Sequence, residues 1–355
     1  MLFTLFSRRF DFFQLQVFRF DGPMQVSVDQ VNYLNIGLMI VSCVVAFVFP
    51  FELFLFSYAV LGPLHYLTEI SWLHERNYFT EAKPGKRKRR PHRGWLTLVA
   101  ITTLLLIIGF VSAEIMGLFY SPKWEITFLY LVFVSALLIT EVPNKRQKVW
   151  VLLLALALLV PLATSRYYII VAFFLVTIIH VFFFTGAFIL YGSLKGKSAS
   201  GVLSLIVFVL CAVSFFVYVP AGHGAGDYIR GSYRSFNALN AELIKLFRLG
   251  QGTSPSEVYE SQNGVTIMRL IAFAYTYHYL NWFSKTSIIK WHEVSQNRIA
   301  VIAVVWLASL ALYAYSYDTG MAVLYFISVL HVMLEFPLNH RTFAGIGREL
   351  YAIAK

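Results

Sequence analysis

The chain has 355 residues, 58% of them hydrophobic and 13% charged, with a mean hydropathy of +0.67. A soluble domain of this size could not hide so much apolar surface, so the expected fold is all-α: a polytopic integral membrane bundle. The net charge of +11 is read as membrane topology, and no nucleic-acid partner is expected.

The opening "MLFTLFSRRFDFFQLQVFRF" is aromatic and basic, carries Asp11 and has no small-residue cleavage site. It reads as part of a cytoplasmic N-terminal segment, 1–32, and not as a signal peptide. About ten transmembrane spans follow in one membrane domain covering 1–355. They lie roughly at 33–49, 51–73, 95–118, 124–141, 149–163, 167–191, 201–219, 265–283, 299–316 and 320–338. Each is long enough, or nearly so, to cross ~30 Å of hydrocarbon at ~1.5 Å per residue. Only Pro50 separates the first two spans. It favours a break because it removes a helical donor and clashes with the preceding turn.

Positively charged loops stay in the cytoplasm. With the N-terminus inside, most of the 29 basic residues fall on inner segments. The densest is the basic loop 74–94, with "KPGKRKRRPHR". Others are Lys145, Arg146 and Lys148, then Lys285, Lys290 and Arg298, then Arg341 and Arg348. This predicts N-in/C-in topology and a multi-pass position in a cytoplasmic membrane, the bacterial inner membrane being the expected one. The long loop 220–264 falls outside. In it, Phe236, Leu239, Leu243 and Phe247 are spaced for a short interfacial helix, serving as packing or as a lid. Cys43 and Cys211 lie in apolar runs and offer no disulfide framework or Cys-rich metal module.

Four histidines fall within expected spans: His65, His180, His278 and His331. All four spans run from outside to inside, and each histidine lies in the inner half of its span. The imidazoles are therefore expected at one depth. Two of them head matching triplets, "LHYLTEISWLH" at 64–74 and "LHVMLEFPLNH" at 330–340. On a helix, positions i and i+4 differ by about 40° and rise ~6 Å, so His65 shares a face with Glu69, and His331 with Glu335. Carboxylates are costly in hydrocarbon unless they bind a cation, orient a ligand or relay protons. His65, His180, His278, His331, Glu69 and Glu335 are thus the candidate metal ligands, with Glu69 and Glu335 also the candidate catalytic groups. His74 and His340 lie nine residues beyond the deep histidines, roughly half a turn away in azimuth. They are expected at the interface, with support of the ligands as the alternative. Asn281, one turn from His278, could hydrogen-bond a ligand. Tyr275, Tyr277, Tyr279 and Trp282 around His278 read as core packing or as the wall of a tunnel for a long apolar substrate.

Imidazole and carboxylate without thiolate suit iron, zinc or manganese. Iron, mononuclear or dinuclear, is the expected metal, in an oxidoreductase that uses molecular oxygen, and an electron donor where the reaction needs one. Zinc would instead make a lipid hydrolase. Haem fits less well, with one deep histidine per helix. The competing class is a proton-coupled transporter built on the same His/Glu network.

A resemblance sharpens this. "FSYAVLGPLHYLTEISWL" resembles the Gly-Pro-His-Gly-x-x-Asp region of the bacteriorhodopsin-related-protein type of membrane β-carotene oxygenases. "YTYHYLNWFSKTSIIKW" and "SVLHVMLEFP" resemble that family's later histidine segments. Tyr66 stands where the family has glycine, Glu69 where it tends to have aspartate, and Trp282 where a second histidine would follow His278. The resemblance implies a polytopic helical fold, with His65, His278 and His331 holding iron. It also implies oxygen-dependent work on a lipid or polyene such as a carotenoid.

Overall fold

A computed structural model describes residues 27–75, 93–114, 122–164, 174–220, 225–252, 254–285 and 294–355. The basic run 76–92 and the opening segment 1–26 lie outside them. The described residues are helical, without strands.

Helix α1 (Val28–Val48) starts on a reciprocal cap: the Ser27 hydroxyl accepts from the Gln30 amide while the Gln30 side chain accepts from the Ser27 N–H. It stops at Phe49, and Pro50 opens the next helix at a position where no donor is needed. That next rod has three parts: α2 (Pro50–Phe56), a π-turn (Ser57–Leu61) and α3 (Gly62–Glu75). Pro63 has no N–H to offer the carbonyl one turn back, and the widened turn absorbs the mismatch. Gly62 has no freedom for a side chain, since a β-carbon there would collide with the Tyr66 hydroxyl.

Three further helices follow: α4 (Arg93–Glu114), α5 (Pro122–Thr140) and α6 (Lys145–Thr164). A second π-turn (Ile179–Phe184) leads into α7 (Thr185–Gly196), and α8 (Ala199–Val217) follows on a Ser198 cap. The long loop holds α9 (Asp227–Tyr233), α10 (Asn237–Leu246) and α11 (Pro255–Tyr259). The chain ends with α12 (Gln262–Ser284), α13 (Gln296–Tyr315) and α14 (Tyr317–Ala354).

Among the described residues, seven helical segments are long and apolar enough to cross a membrane: Val28–Val48, Pro50–His74, Arg93–Ser112, Ile179–Gly196, Ala199–Val217, Gln296–Tyr315 and Tyr317–Ala354. Their outward faces are apolar, as Val41, Val44, Ile206, Leu210, Val301 and Val304 show, which suits contact with lipid and not with water. The spans expected at 124–141, 149–163 and 265–283 fall on α5, α6 and α12, which are not among the seven. Helix α12 is less hydrophobic because it is the central post: from Gly264 to Tyr279 every residue is buried by neighbouring helices. It can therefore carry threonines, tyrosines and Arg269 where an outer helix carries valines. Helix α14 runs through Pro337 for 38 residues, well past the expected end at 338. At ~1.5 Å per residue it is far longer than ~30 Å of hydrocarbon.

The helix expected around 236–247 forms as α10. Its apolar stripe turns into the protein: Leu239, Leu243 and Ile244 are buried and Phe236 packs on Phe54 and Tyr58, while Phe247 stays exposed.

Candidate metal centre

Helices α3, α12 and α14 and the second π-turn meet at one point. His65, His180, His278 and His331 are there, with one ring nitrogen from each lying within 4.8 Å of all the others. Each ring is at most 6% exposed. The Nε2 atoms of His65 and His278 are 3.1 Å apart, and those of His331 and His180 are 3.2 Å apart.

The rings are held from behind. Thr185 Oγ1 lies 2.8 Å from His278 Nδ1, and its hydroxyl donates to the Val181 carbonyl at 2.9 Å. With its proton spent there, the hydroxyl oxygen accepts from His278 Nδ1–H, which leaves the Nε2 lone pair facing the centre. Glu335 Oε2 stands 3.1 Å from His180 Nδ1, close enough for charge contact but without hydrogen-bond geometry. Carboxylate or hydroxyl partners behind ligand imidazoles are how metal sites fix tautomer and ring orientation. The Tyr66 ring stacks on His331 at 4.8 Å, and Trp282 packs edge-on against His65 while its indole donates to Thr68.

The two π-turns adjoin this geometry. The first directly precedes the turn that carries His65, and the second carries His180 itself. On a regular helix His180 and Thr185 would stand about 140° apart. The wider i→i+5 turn brings the ligand and the neighbouring histidine's partner to one side.

The donor set fits a metal ion. At ~2.1 Å from one ion, two nitrogens are separated by roughly 2.9–3.4 Å, which matches the two measured pairs. The buried His65 Nδ1, His180 Nδ1 and Glu335 Oε2 have no hydrogen-bond partner among the described residues.

The other expected residues are placed as follows. Glu69 reaches His65 Nε2 at 3.1 Å, the nitrogen that faces the centre. Glu335 serves His180 and not its own helix neighbour His331. His340 is turned away, its Nε2 donating to the Phe133 carbonyl at 2.9 Å and its ring 4.4 Å from that of Phe133. His74 is exposed. Asn281 is buried, and its backbone carbonyl accepts from Ser284. Neither Thr185 nor Lys285 was among the expected site residues. Lys285, just past the end of α12, sets its ammonium over the Phe188 ring at 5.4 Å.

The centre has two different sides. A cavity of about 150 Å³ reaches His180 and His331. Most of its wall precedes the histidines in sequence: Tyr58, Val176 and Thr177, Tyr275, and Tyr325 with Ser328. The charged and orienting groups all follow their histidines: Glu69, Thr185, Lys285 and Glu335. Helix α10 contributes Leu239 to the far end of the cavity, next to Phe236.

The fold and site define an all-helical, multi-pass type of membrane protein with a buried four-histidine cluster suited to a metal. No family model, curated protein or solved structure matches the chain.

Proposed function

We propose that the chain is a membrane-embedded, non-haem metal oxidoreductase, with iron held by His65, His180, His278 and His331. The observation that carries this reading is the convergence of four ring nitrogens, with Thr185 hydrogen-bonded behind His278. Glu69 completes the site beside His65, and Glu335 orients His180. Bound iron would supply oxygen activation. The protein's own contribution is to exclude water, hold the rings and present the substrate.

The substrate is a membrane-dissolved lipid or polyene, a carotenoid being the leading candidate. Two things support this. The cavity's wall among the described residues is mostly tyrosine, valine, phenylalanine, leucine and methionine, with Thr177, Ser235 and Ser328 and no carboxylate or ammonium. The segments around His65, His278 and His331 resemble those of membrane β-carotene oxygenases. Cleavage of one C=C bond by one O₂ into two carbonyls balances without a reductant, whereas hydroxylation or desaturation would draw on a two-electron donor. The ten-span, N-in/C-in arrangement belongs to the same proposal, supported by the distribution of basic residues. It would turn the cavity outward and the Glu/Lys side toward the cytoplasm.

The test is oxygen uptake by the iron-loaded protein in vesicles containing β-carotene. Loss of polyene absorbance with stoichiometric O₂ uptake, abolished in His331→Ala, is expected. Full metal loading with no polyene consumption would contradict the substrate class.

A further inference from the structure

The cavity beside His180 and His331 has a volume of about 150 Å³. An apolar cavity of about 150 Å³ holds one benzene molecule. The enclosed space therefore suits one ring and not a whole polyene, which is many times larger.

Its far end is a fixed wall made by Phe236 and Leu239. The Phe236 ring packs edge-on at 4.8 Å from both Phe54 and Tyr58. Leu239 is buried together with Leu243 and Ile244 of the same helix. The Tyr259 hydroxyl donates to Asn237 Oδ1 at 2.6 Å and ties the start of α10 to α11. Withdrawing α10 would uncover these aliphatic side chains, at about 1.5–3 kcal/mol each, so α10 acts as a stop and not as a lid. The rest of the wall is uneven. Tyr58, Tyr275 and Tyr279 are buried, whereas Thr177, Met321 and Tyr325 are partly exposed. A molecule longer than the cavity has its way out on the Thr177–Tyr325 side. Flat tyrosine faces suit a compact ring. A ring also has no internal bonds to freeze, whereas a flexible tail of equal volume loses conformational freedom on entering.

We propose that this cavity is an end-group pocket, taking one ring-sized apolar terminus of the substrate against Phe236 and Leu239. The bond presented at His180 and His331 is then one near that terminus and not one at the middle of the chain. For the reaction this rests on the oxidoreductase reading above; the preference for a ring depends on no metal. In the cleavage, one C=C bond breaks, one O₂ supplies both carbonyl oxygens and no reductant is consumed. The products are a short ring-bearing carbonyl and a long remainder.

The first test uses the full-length protein in lipid nanodiscs, without added metal. One probe is a cyclohexene with a short diazirine tail. The other is an open-chain alkene of similar size with the same tail. Photolabelling by the ring probe, located by peptide mass spectrometry, should be saturable and fall on the peptides that hold Leu239 and Tyr325. The open-chain probe should label them roughly tenfold less at equal concentration. Leu239→Phe, which fills the pocket, should cut ring labelling roughly tenfold, and Leu239→Ala should admit a larger ring that the wild type excludes. Equal labelling of the wild type by both probes would overturn the proposal, whatever the variants do. Ring labelling unchanged in Leu239→Phe would overturn it as well. The second test is the product pattern of the iron-loaded wild type with β-carotene: unequal fragments are expected, and two equal halves would overturn the proposal. Ring-selective labelling without any oxygen uptake would uphold the pocket and bring down the oxidoreductase reading alone.

Discussion

Replacing Thr185 by valine removes one oxygen and almost no volume. In the wild type that oxygen accepts from His278 Nδ1–H at 2.8 Å while its own proton goes to Val181. After the substitution, a His278 that presents its Nε2 lone pair to a metal must leave Nδ1–H buried without a partner. An orphaned buried donor costs about 1–3 kcal/mol. The metal-free protein escapes most of this cost, because the imidazole can move its proton to Nε2, opposite His65 Nε2 at 3.1 Å. The cost therefore falls on the metal-bound state, and affinity should drop by roughly 10- to 100-fold. Competition against a chromophoric chelator, on purified protein in detergent, measures this directly. Thr185→Ser, which keeps the hydroxyl, should bind like the wild type. A Thr185→Val variant with unchanged affinity would refute the idea that this hydroxyl sets the tautomer.

Other substitutions separate the parts of the account. Glu335→Gln should weaken metal binding at least about tenfold in the same competition, since the amide keeps the shape and loses the charge facing His180. Val329→Phe, which fills part of the cavity beside His331, should cut polyene turnover more than about tenfold and leave metal content intact. Gly62→Ala should lower the thermal midpoint of unfolding, because the added methyl meets Tyr66 across a closely packed turn. His340→Ala should cost about 0.5–1.5 kcal/mol of stability by removing its hydrogen bond to the Phe133 carbonyl, without altering metal stoichiometry; His74→Ala should alter neither.

Much of this geometry can be read from residue positions. Four deep histidines on expected spans running in one direction are sufficient to anticipate their meeting, because common depth and common direction leave only azimuth open. The separation of His74 and His340 from the deep histidines follows from the same helical arithmetic, and one is indeed exposed while the other packs on Phe133. What periodicity cannot supply is cross-helix pairing. Glu335 and His331 share a face, yet the carboxylate reaches over to His180, which depends on how α14 packs against its neighbour. Thr185 carried no signal: five residues after His180, it reaches the site only because a π-turn rephases the helix. Lys285 read simply as a flanking positive charge, since its inward course depends on where α12 ends. The run of α14 through Pro337 is likewise a tertiary effect, in which packing outweighs the lost backbone hydrogen bond.

The central claim is that the four histidines hold one metal ion. Elemental analysis of protein purified without added metal, beside a His65→Ala/His331→Ala variant, addresses it most directly. About one iron per chain in the wild type and little in the variant is the predicted result. Less than about 0.2 metal per chain in the wild type, unchanged in the variant, would contradict it.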